Sequence, residues 1–255
     1  MSVIHLTIEQ GIAHLQLDNP SKLNAFSAEM LVQLDVHLTT IRADQGIHAV
    51  ILSAAGDRAF CVGADINAWA DLSPREFARN WVHDGHRIFD KLARLPQPTI
   101  AVIEGYAFGG GLELAAACDV RLFGPKAQLA LPEAGVGVVP GWSGTQRLLR
   151  LMPEPMVREM ALFGRRIEAE RAVQAGFASA IDEDPMALAR QYVADVAKQS
   201  PFATDLIKSM INAAVGEDAP AAIEAMASAA VAASHDLTEG VQAFREKRAP
   251  QFRGA

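Results

Sequence analysis

Cysteine is nearly absent from this chain: Cys61 and Cys118 are the only two in 255 residues. Neither belongs to a C-x-x-C pair or to a Cys/His ligand spacing, so the sequence offers no disulfide framework and no zinc motif. Both read as buried free thiols in a reducing compartment. Long apolar runs are missing as well. No stretch approaches the ~20 residues of a membrane span, and the opening MSVIHLTIEQ has no basic, long apolar leader. A cytoplasmic protein is expected. Positive charge is the minority sign, 23 Lys and Arg against 30 Asp and Glu for a net −7. That balance argues against a nucleic-acid surface while leaving room for a small anionic ligand.

Several familiar signatures also fail. GGGLEL lacks the Lys-Ser/Thr of a phosphate loop, and in EAGVGVVPG Pro140 takes the place of the last glycine of a dinucleotide fingerprint. PGWSGTQ resembles a nucleophile elbow only on the surface, because a glycine follows Ser143 directly instead of two places on. The histidines are scattered, with no H-E-x-x-H.

The length suits one large domain, or a core with a smaller appendage. VIHLTIE and IAHLQLD, split by Gly11, predict a hairpin. Ser27 caps a helix with Leu31, Leu34, Leu38 and Ile41 at helical spacing. HAVILSA and PTIAVIEG read as buried strands. Ser73-Pro74-Arg75-Glu76 starts a second helix, expected to reach about Leu95. Strand and helix signals alternate to about residue 185, the pattern of an α/β layered domain. After about residue 195 only helical stretches follow: PFATDLIKSMINAAV, the alanine-rich PAAIEAMASAAVAAS and LTEGVQAFREKR. The expected division is an α/β core over 1–195 and a helical region over 196–255.

Within the core, IEGYAFGGGLELAAACD sets Gly109, Gly110 and Gly111 ahead of a helix that carries Glu113 in its first turn. Glycines at a helix start leave N–H groups unpaired and free of Cβ obstruction, the recipe for holding an oxygen that gains negative charge. Taken alone, the same glycines are equally accounted for by tight helix–strand packing. AFCVGADI places a second small-residue turn, Gly63-Ala64, after a buried strand. ALPEAGVGVVPG puts Glu133 in an otherwise apolar segment. Two carboxylates in apolar settings are candidates for proton transfer, since desolvation raises a carboxyl pKa toward neutrality. A cap or a salt bridge is the ordinary role of any single glutamate.

Together these stretches resemble the enoyl-CoA hydratase/isomerase (crotonase) family, whose motifs run nearly end to end: NPSKLNAF, AFCVGADI, GYAFGGGLELAAACD, AQLALPEAGVGVVPGWSGTQRL, RAVQAGF and EGVQAFREKRAPQF. The resemblance implies a spiral of repeated ββα units and a C-terminal helical region that builds trimers, often paired into hexamers. It implies an acyl-CoA thioester substrate, with coenzyme A part of the substrate and no metal or other cofactor. By matching motifs, the N–H groups of Ala64 and Gly110 correspond to an oxyanion hole, and Glu113 and Glu133 to the catalytic carboxylates. Gly141 matches a position near the catalytic water. Lys22 and Leu23 match a loop that contacts coenzyme A, as do Ala64, Asp65 and Ile66 of GADI, and Lys247 matches a basic residue reaching a neighbouring subunit's coenzyme A. Two departures stand out. Asn67 replaces a common lysine, and Trp142 occupies a place usually held by a small residue, where its ring either narrows the acyl pocket or packs in the core.

The activity so implied is hydration of a 2-trans-enoyl-CoA to a 3-hydroxyacyl-CoA. Double-bond isomerisation through the same enolate is the first alternative, and a non-catalytic acyl-CoA-binding subunit the second. Retention of both glutamates and both donor turns favours hydration.

Overall fold

Alternating apolar residues give β1 (Val3–Glu9) and β2 (Ile12–Asp18), paired antiparallel from Val3↔Asp18 to Glu9↔Ile12. The link is a two-residue turn in which Gln10 and Gly11 both take positive φ, 50° and 78°, the geometry that matches strand twist. This computed structural model describes residues 2–217 and 235–254. Contacts divide the chain into two units, Met1–Pro201 and Phe202–Ala255.

The first unit is built from two sheets. Strands β3 (Ala49–Ala54), β5 (Thr99–Ile103), β7 (Val120–Phe123) and β10 (Ala180–Ile181) extend the hairpin in the order β1-β2-β3-β5-β7-β10. A smaller sheet holds β4 (Ala59–Cys61), β6 (Tyr106–Phe108), β8 (Gln128–Ala130) and β9 (Ile167–Glu168), in that order. Each of the pairs β3-β4, β5-β6 and β7-β8 sends its first strand to the large sheet and its second to the small one. Parallel pairing within each sheet then winds these pairs and their helices into the expected spiral.

Central strands are buried on both faces, which is why HAVILSA and PTIAVIE read as unbroken apolar runs. Ala49 and Ile51 face α9 (Pro185–Val196) with Ile100, Val102 and Leu122, while Val50 and Leu52 enter the main core. On the core side lies α1 (Ala28–Ala43), capped by Ser27, whose side chain accepts the Met30 N–H. Its buried residues include Leu31, Leu34, Leu38 and Ile41.

The helix expected from Ser73 to Leu95 is not uniform. It opens as α2 (Pro74–Glu76) with the Ser73/Glu76 capping box, widens into a π-helical segment over Phe77–Val82, and continues as α3 (His83–Ala93). Asp35 on α1 accepts from Arg87 and Lys91 and so ties α3 down. Next come α4 (Gly110–Ala116), α5 (Glu133–Val136), α6 (Gly144–Leu151), α7 (Glu154–Phe163) and α8 (Ala169–Gln174). Both thiols are free and buried, and burial pushes the Cys61 thiol up to about 12.

The helix Pro201–Ala214, except for its first residue, and the helix His235–Glu246 belong to the second unit. Its terminal segment is pinned by Arg248 on Glu239 and by Asp236, which accepts the Arg253 and Gly254 N–H groups. The alanine-rich stretch 220–234 lies outside the described residues. Among those described, no helix is long and apolar enough to cross a membrane.

The start of α4 lies directly on β4. A Cβ at Gly111 would fall 2.1 Å from the Cys61 carbonyl oxygen, whereas one at Gly135 would meet nothing within 4 Å. Gly111→Ala is expected to cost at least about 2 kcal/mol. That corresponds to a Tm loss of roughly 4–8 °C. Gly135→Ala is the control and should not lower Tm. Thermal unfolding of both variants checks the contrast.

Candidate active site

Strand β6 delivers the chain to Gly109, whose N–H donates to Ala130 O at 2.9 Å and whose φ of 51° with ψ of −126° only glycine tolerates. Gly110 then opens α4, and its N–H has no acceptor within the helix by position. Facing it is the turn after β4. Gly63 has φ +99°, and a Cβ there would lie 3.1 Å from Gly110 N. Phe26 N donates to Gly63 O and Asp65 N to Phe26 O, both at 2.8 Å. In such a parallel bridge the N–H of the residue between, Ala64, points away from Phe26. Ala64 and Gly110 line one cavity of about 150 Å³.

Glu113 and Glu133 line that same cavity and are its only charged side chains among the described residues. Glu113, one turn into α4, is 2 % exposed. Its Oε1 accepts the N–H groups of Trp142 and Gly144, each at 2.8 Å. Burial raises its pKa, and the Trp142, Gly144 and Gly141 N–H groups and the Arg147 charge pull the other way. Gly141 is thus placed against the carboxylate. Glu133 begins α5 with far less support. Burial pushes it up to about 7, offset by its own N–H and reinforced by the negative charge of Glu113. Its Oε2 is buried with no hydrogen-bond partner. Burial thus raises both acids, and the pair differs in hydrogen bonding: backbone N–H groups from one segment converge on Glu113, while Glu133 has an oxygen with no partner.

The remaining wall is apolar, with Trp69, Phe77, Trp81, Val82 and Val139 among its residues. Three of these come from the π-helical segment or its ends, which no sequence pattern announced. Trp142 combines the two roles left open for it. Its ring is 3 % exposed and packs 5.1 Å from Phe89 and 5.5 Å from Trp81, centroid to centroid, yet it also lines the cavity. Its Nε1 donates to Trp81 O at 3.3 Å. Gly85 makes the room, since a Cβ there would sit 2.1 Å from that Nε1. A lone glycine within a helical pattern was the available signal for this contact.

The coenzyme A candidates cluster at one edge. Lys22 Nζ lies 2.5 Å from Asp65 Oδ2, and Asp65 also accepts the Asn67 N–H and side-chain amide. Leu23 is half-buried with φ 52°, and its carbonyl accepts the Val62 N–H. Ile66 is 48 % exposed at the cavity. Lys247 belongs to the second unit, where it is exposed with φ 56°.

Glu133 makes stability depend on pH. Its pKa is raised on folding from 4.5 to about 7, so the stability of its neutral form is whole below the lower value and is lost as pH rises through the upper. Glu133→Gln carries no charge at any pH. It should therefore match the parent below about pH 4.5 and exceed it above pH 7, by up to about 3 kcal/mol before solvent at the cavity mouth reduces the effect. Chemical denaturation near pH 5 and pH 8 measures the difference; equal values at both would exclude it.

Comparison with known proteins points to one family. A family model described as enoyl-CoA hydratase/isomerase matches residues 7–255. The chain is similar to the putative enoyl-CoA hydratase/isomerase YngF of Bacillus subtilis, 37% identical over 99% of this chain and 98% of the relative. It is also similar to a short-chain-enoyl-CoA hydratase of Clostridium acetobutylicum, 32% identical over 94% and 93%. The crystal structure of an enoyl-CoA hydratase from Bacillus anthracis superposes with a TM-score of 0.80 at 32% identity, covering 99% of each chain. Matched by that model over nearly its whole length and by relatives of this identity, the chain belongs to the enoyl-CoA hydratase/isomerase (crotonase) family.

Proposed function

We propose that this protein is an enoyl-CoA hydratase, adding water across the double bond of a 2-trans-enoyl-CoA to give a 3-hydroxyacyl-CoA. The observation that carries the reading is one apolar cavity holding two carboxyl groups, Glu113 fed by backbone N–H groups and Glu133 with an oxygen that has no partner, beside the Ala64 and Gly110 turns. The thioester carbonyl accepts the Ala64 and Gly110 N–H groups, which stabilise the enolate as water attacks C3. Loss of one such donor typically costs roughly 10²–10³ in rate. Ionised Glu113 takes a proton from the water, and Glu133 delivers one to C2. Lys22, Leu23, Asp65 and Ile66 hold the coenzyme A end. Hydration is acid–base chemistry, so the reading assigns no metal or separate cofactor. An acyl group free of charge fits a wall with no cation.

Glu→Gln keeps shape and removes proton transfer. Glu113→Gln and Glu133→Gln are each expected to lower kcat on crotonoyl-CoA by at least about two powers of ten. The double variant should be worse than either yet far from multiplicative. An isomerase working through Glu133 alone would retain turnover of a 3-enoyl-CoA in Glu113→Gln, and near-parental hydration by that variant would overturn the mechanism. An enoyl-CoA ending in a second carboxylate serves as the poor substrate in the same assay.

The reading extends to assembly as a homotrimer or a hexamer, with Lys247 serving a neighbour's coenzyme A. What supports it is the helix from Pro201 to Ala214, which leaves Phe202, Ile207, Met210 and Ile211 exposed, an apolar surface of the kind that marks an interface. Light scattering at micromolar concentration should give three or six times the chain mass; a monomer would refute it.

A further inference from the structure

Two amide groups, Trp142 N–H and Gly144 N–H, converge on the same oxygen of Glu113. Groups two residues apart reach one point only where the chain folds back between them. That residue is Ser143, with φ 71° and ψ 15° in the left-handed region. Successive amides around a left-handed residue form a concavity suited to an anion. The region is strained for any residue with a Cβ and easy for glycine.

What holds Ser143 there is its hydroxyl. Ser143 Oγ lies 2.8 Å from His86 Nδ1 and donates to Asp90 Oδ1 at 3.3 Å, both residues on α3. Asp90 is itself held by Arg147 Nη2 at 2.6 Å, from α6, the helix that Ser143 precedes. The neighbouring position has no latitude, because a Cβ at Gly144 would fall 2.3 Å from Glu113 Cγ. Ser143 thus supplies the tie from this turn to α3, beside that of Trp142 Nε1 on Trp81 O.

We propose that Ser143 is a positioning residue for Glu113, its hydroxyl locking to α3 the left-handed turn that aims the Trp142 and Gly144 N–H groups at the carboxylate. The proposal rests on the reading of Glu113 as the group that activates water. A Ser/His/Asp cluster also invites a nucleophile. The geometry argues otherwise: Ser143 is 8 % exposed and does not line the cavity, and its hydroxyl meets the carboxylate directly as well as the imidazole. A relay needs the imidazole between the two. The charged groups bearing on Glu113 are Glu133 on α5 and Arg147 on α6, while Asp90, His86 and Arg94 of α3 surround Ser143 and its partner.

The test compares Ser143→Ala, which keeps the strain and loses the tie, with Ser143→Gly, which loses the tie but relieves the strain. In Ser143→Ala the N–H donors should drift from Glu113, and its titration should move up by about one pH unit, since hydrogen bonds to a carboxylate favour its charged form. The acid limb of kcat against pH should move with it, kcat should fall at least about tenfold, and KM should change less than about threefold. Ser143→Gly should recover most of both losses. His86→Ala, which removes one of the two ties, should shift the titration the same way by less, and it carries the test if Ser143→Ala fails to fold. Carbon-13 NMR of the Glu113 carboxyl, assigned with Glu113→Gln, reads the titration without turnover, so a failed hydratase reading leaves this result intact. Parental titration in Ser143→Ala or, failing that, in His86→Ala overturns the proposal. So does a Ser143→Gly as impaired as Ser143→Ala, which would make the hydroxyl itself the requirement.

Discussion

A carboxylate that is almost shut off from water must find its hydrogen bonds in the protein, or take up a proton. Glu113 meets that demand with backbone N–H groups from the segment Gly141–Gly144. Much of the surrounding architecture follows from it. The segment has to reach the first turn of α4, which fixes the start of α6, places the Trp142 ring, and sets the acidic partner across the cavity at Glu133. Backbone donors suit the task because they are anchored at both ends and cannot rotate away as side chains can.

The same requirement explains the inequality of the two acids. Burial raises both, but donors on one side oppose it at Glu113, while at Glu133 the neighbouring carboxylate and a buried oxygen without a partner do not. Two carboxyls in unequal hydrogen-bonding surroundings are the arrangement that a paired proton removal and delivery calls for. Two sheets make it possible. The end of β4 and the end of β6 belong to neighbouring strands of the small sheet, so two turns distant in sequence, Gly63-Ala64 and Gly109-Gly110, meet as a consequence of pairing.

Much of this was legible in the sequence, for identifiable reasons. The hairpin, the Ser27-capped helix and the two-faced strands follow local patterns with periods of two or 3.6, and such patterns survive into the fold. Gly110, Glu113 and Ala64 were legible because each follows the end of a strand, where a change of composition is visible. The π-helical segment was not. An added residue in a helix alters neither propensity nor capping, so FARNWV reads as ordinary helix until its packing against Trp142 is known. The Ser143 contacts to His86 span 57 residues and join two unremarkable helical stretches. No period or motif encodes such a pair. Ser143 was weighed only as a nucleophile, and its left-handed backbone, the informative property, has no signature in a serine.

The contact between Trp142 and Gly85 couples two positions 57 residues apart in sequence. An indole at position 142 occupies the space that any Cβ at position 85 would need. The two positions therefore cannot change independently: a chain with a side chain at 85 has no room for this ring, and a chain with this ring cannot regain a side chain at 85 without expelling it. Any change that enlarges position 85 must therefore be made together with one that shrinks position 142, whereas the ring alone can be trimmed first, at the cost of a void.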